Sequence, residues 1–146
     1  MFKSLILGLA LGVFSTAAGA AELVEMDFIR AIESSGNAKA VSFLGAKYGR
    51  GAYQVSEICL QDYNDCTNSS IKPDELFDEK TCYTVARWYL ETRIPRLLGH
   101  YKIPVTTRNI IWAYSAGIGN VVKGVMPEET KLYLKKYRKL GGDLNV

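Results

Sequence analysis

Apolar residues recur at helical spacing through most of the chain that follows residue 21. The first such stretch predicts a helix over residues 22–34, and Gly36 is placed to end it, as a glycine just beyond a helix commonly does. The apolar face of this helix is formed by Leu23, Met26, Ile29 and Ile32. Residues 37–50 lack this spacing and predict a loop, or short extended pieces joined by turns.

The same spacing predicts further helices along the chain. One covers about residues 53–64, and another begins after Asp78, a favourable N-cap, and is ended or kinked by Pro95. Thr107 is expected to cap the next, and the last begins at Pro127, since proline suits a first helical turn. The pattern therefore predicts a mainly α protein, and the chain is long enough for one core rather than two.

The first residues of the chain have a different pattern. Lys3 supplies a positive charge, residues 5–14 form an apolar run, and residues 18–20 are small. This order is typical of a cleaved export signal, here residues 1–21, which would leave a domain over residues 22–146. A retained N-terminal anchor is the alternative, but the run is short for a membrane span. Either interpretation predicts a domain that works in the periplasm or outside the cell. With a cleaved signal, no stable membrane span is expected.

Composition and charge change this picture little. Apolar residues make up 48% of the chain, which is typical of a globular protein rather than a disordered one. The formal net charge of +3 would attract anionic polymers. Much of the positive charge lies on the last predicted helix, which allows either an anion-binding face or a solvated one. The solvated face is favoured, and no nucleic-acid partner is expected for an exported protein.

The cysteines also fit export. Cys59 and Cys66 would lie about two turns apart on a regular helix, roughly 10 Å, which is too far for a disulfide. We therefore predict a bridge between Cys66 and Cys82, with three reduced thiols as the alternative. The chain has no Cys-x-x-Cys pair, and its one histidine, His100, falls in a predicted loop. Neither a metal nor a cofactor is predicted.

Glu33 is the residue with the clearest candidate chemistry. It falls at the C-terminal end of the first predicted helix, beside the apolar face, where the helix dipole disfavours a second negative charge. Partial burial disfavours the carboxylate further. Both effects raise the pKa, as a general acid working at neutral pH requires. The alternative is an ordinary solvated glutamate at a helix end.

Four short motifs begin at Glu33 and continue along the chain. They are Glu33-Ser34, Ser42-x-x-Gly45-Ala46, Gly51-Ala52-Tyr53-Gln54 and Ala113-Tyr114-Ser115-Ala116-Gly117. In this order and at these spacings they resemble the motifs of the lytic transglycosylase family, in particular the soluble type (SLT) with a lysozyme-like fold. The resemblance runs from about Asp27 to Lys123, which is nearly all of the predicted domain.

The resemblance implies a small single-domain lysozyme-like helical fold with a substrate groove, and it makes Glu33 the catalytic residue. The substrate-binding residues that it implies are Ser42, Tyr53, Gln54, Tyr114 and Ser115. A phenol at Tyr114 is expected to hydrogen-bond to the Glu33 carboxyl. Ser115 stands where the family more often has asparagine, so it is carried over only as a groove-lining residue.

The reaction implied is cleavage of the β-1,4 bond between MurNAc and GlcNAc in peptidoglycan. Glu33 would protonate the glycosidic oxygen and then act as base on the C6 hydroxyl of MurNAc, which forms 1,6-anhydro-MurNAc. No acidic residue lies between Glu33 and Gln54, which favours one catalytic carboxylate over two. The alternatives are a muramidase that uses water and a non-catalytic peptidoglycan-binding scaffold. A secretion or phage-type assembly is a further candidate partner.

Overall fold

The computed structural model describes residues 22–145, and within them the regular structure is helical. The α-helices are α1 Met26–Ser34, α2 Glu57–Thr67, α3 Glu79–Trp88, α4 Ile94–His100, α5 Thr107–Ala116, α6 Ile118–Lys123 and α7 Glu128–Lys139. Two 3₁₀ turns, Ala46–Tyr48 and Pro73–Phe77, and a π-helical turn, Tyr89–Arg93, lie between them. The prediction of a mainly α, lysozyme-like single domain is confirmed. The predicted signal at 1–21 lies outside the described residues.

One apolar core holds these helices together. Helix α5 lies at its centre and packs against α4, α6 and α7, while α1 packs against α7 and α2 against α3. The side chains that fill the core include Ile29, Leu60, Val85, Leu90, Leu98, Ile110, Ile111 and Leu134. Removal of this apolar surface from water is the main stabilising contribution to the fold. The packing of α1 on α7 brings the end of α1, with Glu33, against the middle of α7.

Helix boundaries follow their caps rather than the apolar spacing alone. Helix α1 begins four residues later than predicted and ends at Ser34, because the next residue, Ser35, has a left-handed φ of 53°. Helix α2 begins at Glu57 rather than near residue 53, because the Ser56 hydroxyl accepts a hydrogen bond from the Cys59 amide and caps it. Thr106, not the predicted Thr107, caps α5 in the same way.

Helices α3 and α4 are continuous through the π-helical turn that lies between them. Pro95 lies in the first turn of α4, where its missing N–H interrupts the regular hydrogen-bond pattern. The extra residue of a π turn accommodates that interruption without ending the helix. Pro95 therefore does not end the helix, which continues to His100, and the irregularity that accompanies it is the π-helical turn.

The predicted disulfide is not formed in this structure. All three cysteines are free thiols. Cys66 is exposed, and its thiol lies 3.7 Å from the Asp62 carboxylate, whereas Cys82 is completely buried and its thiol faces the Arg50 carbonyl at 3.6 Å. The two thiols thus occupy different environments, since Cys66 belongs to the last turn of α2 and Cys82 to the core.

Residues 22–145 contain neither a membrane-spanning helix nor a cluster of metal-binding side chains. Among residues 22–145, every helix is too short or too polar to cross a bilayer. Within the described chain, no group of three or more His, Cys, Asp or Glu side chains is arranged to hold a metal ion.

Candidate active site

A cleft of about 290 Å³ opens at the C-terminal end of α1, where α1, α5 and α7 meet the loop that precedes α2. Its walls are formed by Glu33, Ser42, Phe43, Tyr48, Gln54, Tyr114, Ser115, Glu129 and Tyr133. Five of the six predicted site residues therefore line one cleft, although they come from four separate parts of the chain. The sixth, Tyr53, does not line it.

The Glu33 carboxyl is half-buried in the wall of this cleft. Burial raises its pKa from 4.5 to about 7, while the Tyr133 hydroxyl and the Lys136 ammonium group lower the pKa and offset part of that rise. At neutral pH the carboxyl is therefore divided between its protonated and ionised forms. A group in this condition can donate a proton in one step and accept one in the next.

Tyr133 is the phenol that most affects Glu33, and sequence reasoning missed it. Its hydroxyl is buried and makes no well-formed hydrogen bond within residues 22–145, yet it lies close enough to the Glu33 carboxyl to lower that pKa. Burial first, and then the negative charge of Glu33, raise the pKa of Tyr133 well above 10. The phenol is therefore neutral and has a free O–H to turn toward an ionised Glu33. In the sequence, nothing but its place on the last predicted helix distinguishes it.

Tyr114 lies in the cleft, but its hydroxyl is engaged elsewhere. It donates a hydrogen bond to the Tyr53 carbonyl at 2.6 Å, so the predicted hydrogen bond from Tyr114 to Glu33 is not formed. Burial, followed by the charge of Glu33, raises the pKa of Tyr114 well above its usual value, so this phenol also stays neutral. Its hydrogen bond fixes the turn at residues 51–54 against α5.

A second contact ties the same turn to α1. The Ser34 hydroxyl donates to the Ala52 carbonyl at 2.7 Å, so the residue beside Glu33 holds the end of α1 on the turn. Gly51 has a φ of +81°, and a Cβ there would lie 2.2 Å from the Leu76 carbonyl oxygen. Only glycine fits both the conformation and the space. The first and fourth motifs are thus each joined to the third by a side-chain hydroxyl that donates to a backbone carbonyl of the turn.

Gln54 faces the cleft with only part of its hydrogen-bonding capacity free. Its side-chain NH₂ group donates to the Ala40 carbonyl at 3.1 Å and to the Gly51 carbonyl at 3.0 Å. An amide NH₂ has two protons, so only the amide oxygen is left to accept a hydrogen bond from a ligand. The backbone φ of Gln54, 49°, is uncommon for a residue other than glycine, and such strain is found most often at functional sites.

The remaining predicted residues differ in what they offer. The Ser42 hydroxyl accepts a hydrogen bond from the Leu44 amide at 3.2 Å and keeps its own proton for a ligand. The Ser115 and Thr130 hydroxyls lie 3.0 Å apart, which ties α5 to α7 at the rim of the cleft. The Tyr53 ring is buried, with 3% of its surface exposed, and packs edge-on against Tyr83.

The Glu33 cleft continues into a larger one of about 580 Å³. The two share Tyr48, Gln54, Tyr114 and Ser115, and the larger cleft extends along the start of α2 to Tyr89. Together they give the groove that the sequence predicts. Glu57 lines the larger cleft but not the smaller, and its carboxylate is held by Arg50 at 2.7 Å.

Glu129 is the second carboxylate beside Glu33, and sequence reasoning did not find it. It lies in the first turn of α7, is exposed, and lines the same cleft. In the sequence it is only an acidic residue just after Pro127, where a helix start favours negative charge. The packing of α7 on α1, which the sequence does not reveal, is what brings Glu129 to the cleft.

Comparison with known proteins agrees with this geometry. No curated protein and no solved structure matches the chain. A family model described as "Transglycosylase SLT domain" matches residues 15–135, which is most of the chain and includes every residue that lines the Glu33 cleft. The chain therefore belongs to the SLT transglycosylase family, whose members are lytic transglycosylases that cleave peptidoglycan.

Proposed function

We propose that Glu33 is the single catalytic acid and base of this enzyme, and that it cleaves the β-1,4 bond between MurNAc and GlcNAc with formation of 1,6-anhydro-MurNAc. The observation that carries the proposal is a half-buried carboxyl, with a pKa raised to about 7, in the wall of a cleft. A carboxyl with an ordinary pKa would be ionised at neutral pH and could not supply the first proton.

The reaction needs two proton transfers at one residue. Protonated Glu33 donates its proton to the glycosidic oxygen as the bond to the MurNAc C1 breaks, and GlcNAc leaves with a new hydroxyl. Ionised Glu33 then removes the proton of the MurNAc C6 hydroxyl, whose oxygen bonds to C1 and closes the anhydro ring. Glu33 ends protonated, as it began, and no water is consumed. A pKa near the working pH suits both steps.

Other side chains of the cleft would hold the sugar and steady Glu33. Tyr133 has the free hydroxyl that can turn to the ionised carboxylate between the two steps. We propose that Ser42, Gln54, Tyr114 and Ser115 bind substrate, with Gln54 accepting a hydrogen bond from a hydroxyl or acetamido N–H through its amide oxygen. For Tyr53 we propose a supporting role through its carbonyl, which accepts from Tyr114.

Hydrolysis by water is the second candidate, and Glu129 is the observation that favours it. An inverting glycosidase needs a second carboxylate across the cleft as base for the attacking water. Glu129 is the exposed carboxylate that shares the cleft with Glu33. In the single-carboxylate reaction Glu129 has no chemical role, so replacement of Glu129 distinguishes the transglycosylase reaction from hydrolysis.

The test is the rate of peptidoglycan solubilisation by the wild-type protein and by Glu33→Gln and Glu129→Gln. The proposal expects E33Q to lose at least about a hundredfold in rate, because general acid catalysis contributes that much or more. It expects E129Q to stay within a few-fold of wild type. A comparable loss in both variants would favour the hydrolase, and an active E33Q would remove Glu33 from the chemistry.

Where the enzyme works is also a proposal for this chain. Enzymes of the family act on peptidoglycan outside the cytoplasm. We propose that residues 1–21 direct export and that residues 22–146 act in the periplasm or outside the cell. Fractionation of cells that express the full chain, with N-terminal sequencing of the exported product, tests this, and retention of residues 1–21 would contradict cleavage.

A further inference from the structure

Phe43 is an aromatic residue that the fold leaves in water. Its side chain is 96% exposed, so it contributes nothing to the core. Single exposed apolar residues are common on protein surfaces. Phe43 differs from most because it lies in the wall of the cleft that holds Glu33, and exposed apolar surface at a groove is typical of a ligand-binding site.

The loop that carries Phe43 is held in shape by its own backbone. Ser42 N–H donates to the Gly49 carbonyl at 3.0 Å, and Gly45 N–H donates back to the Ser42 carbonyl at 2.9 Å. An isolated antiparallel bridge joins Val41 to Arg50 at the base of the loop. The exposed ring is therefore presented on an ordered turn, and a ligand that packs on it need not pay the entropy of ordering the loop.

A second aromatic ring faces the same space. Tyr48 closes the 3₁₀ turn of this loop, is 54% exposed, and lines both the Glu33 cleft and the larger cleft beside it. The Lys47 ammonium group lies 4.9 Å from the centre of the Tyr48 ring. Two exposed rings thus border the groove, and both belong to the 41–50 loop. The other aromatic residues that line the Glu33 cleft, Tyr114 and Tyr133, are not exposed.

Sugar rings have the chemistry that such a surface binds. A pyranose in the chair form carries its C–H bonds on two faces and its hydroxyls around the edge. A flat aromatic side chain removes one apolar face from water while the polar edge stays free for hydrogen bonds. In this cleft the partners for the edge are the Ser42 hydroxyl and the Gln54 amide oxygen, which lie in the same wall.

We infer that Phe43 is a carbohydrate-stacking residue, which packs on the face of a sugar ring in the glycan strand next to the bond that Glu33 cleaves. The inference rests on the proposed function for its ligand, a peptidoglycan glycan strand. It makes Phe43 a binding and positioning residue with no part in proton transfer. The occupant follows from continuity with the Glu33 cleft, since the same pocket holds both side chains.

Leu44 provides a matched control. It is the next residue in the same loop, is apolar and is 64% exposed, but it does not line the Glu33 cleft. If any exposed apolar side chain on this loop contributes to binding, Phe43→Ala and Leu44→Ala will weaken binding equally. If Phe43 stacks on sugar, only the change at Phe43 will matter, and Phe43→Trp will restore binding while Phe43→Leu will not.

The experiment measures binding of full-length protein in the E33Q background to glycan strands stripped of their stem peptides, so that no turnover intervenes. Phe43→Ala should weaken the apparent Kd about tenfold, which corresponds to ~1.4 kcal/mol. Phe43→Trp and Leu44→Ala should stay within about twofold. The Tm should not change in any variant, because the Phe43 ring makes no core contact.

Equal Kd values for Phe43→Ala and its E33Q parent would overturn the inference, and the exposed ring would then be a candidate contact for another protein. Equal weakening by Phe43→Ala and Leu44→Ala would overturn it too. Each Kd is compared with that of the E33Q parent, so any turnover left in that background is common to all the variants. If Glu33 proves not to be the catalytic acid, the Phe43 and Leu44 Kd values still decide the stacking role.

Discussion

Replacement of Glu33 by glutamine should stabilise the folded protein, although it removes the proposed catalytic group. Burial raises the pKa of the carboxyl from 4.5 to about 7. That rise makes the ionised form less favourable in the folded state by about 3 kcal/mol. Because the side chain is half-buried rather than enclosed, solvent screens part of this cost, and we expect glutamine to gain about 1–3 kcal/mol in the free energy of unfolding at pH 8.

The gain should depend on pH in one direction. Between about pH 4.5 and 7, folded wild-type protein binds more protons at Glu33 than unfolded protein does. Its stability is therefore greatest below the unfolded pKa and falls as the pH rises through the folded pKa. Glutamine does not titrate, so the difference between variant and wild type should be near zero at about pH 4.5 and reach its full value at about pH 8.

Urea unfolding followed by the fluorescence of Trp88 and Trp112 measures both free energies. The control is Glu129→Gln, which removes an exposed carboxylate from the same cleft and should change the free energy of unfolding by less than about 0.5 kcal/mol at either pH. A stabilisation by E33Q that is the same at both pH values would refute the argument, as would a loss of stability at pH 8.

Three further predictions rest on the same contacts. With Glu33 as the acid, kcat/KM for peptidoglycan should fall about tenfold per pH unit above about pH 7. Tyr133→Phe should move that fall to higher pH, because the hydroxyl lowers the Glu33 pKa. It should change the free energy of unfolding by no more than about 1 kcal/mol, since the buried hydroxyl lacks a well-formed hydrogen bond among the described residues. An unchanged pH profile would count against the contact. Gly51→Ala should cost at least about 2 kcal/mol in urea unfolding, because its Cβ would lie 2.2 Å from the Leu76 carbonyl at a φ of +81°; near-wild-type stability would contradict this.

The helical content and the catalytic candidate could be predicted from the chain because both are local. Apolar spacing over residues 22–34 placed Glu33 near the end of α1, and the position beside an apolar face predicted its raised pKa. The order of four motifs identified the family, which the family match confirms. These inferences need only neighbours in sequence or a fixed order of short segments.

What could not be predicted depends on contacts between distant segments. The motif pattern offers Tyr114 as the phenol partner of Glu33. The packing of α1 on α7 instead makes Tyr133 the phenol that affects the Glu33 pKa, while Tyr114 donates to the Tyr53 carbonyl. The same packing brings Glu129 to the cleft. A sequence motif likewise does not indicate whether a residue acts through its side chain or through its backbone.

The Gly-Ala-Tyr-Gln motif illustrates that limit most clearly. As a pattern it indicates substrate contact at each polar position. In the structure the Tyr53 ring is buried, and the Tyr53 carbonyl accepts a hydrogen bond from Tyr114. Gln54 donates both of its amide protons to backbone carbonyls. Much of the motif thus shapes the turn beside Glu33, and the Gln54 amide oxygen is the part left for a ligand.

The central claim is that Glu33 acts alone and that the MurNAc C6 hydroxyl, not water, completes the reaction. Digestion of purified peptidoglycan in ¹⁸O-labelled water, followed by mass spectrometry of the fragments, tests it most directly. We predict fragments lighter than hydrolysis products by one water, without ¹⁸O at the MurNAc end, from wild-type protein and from E129Q, and none from E33Q. Fragments with a reducing MurNAc end that carries ¹⁸O would contradict the claim and make the enzyme a hydrolase.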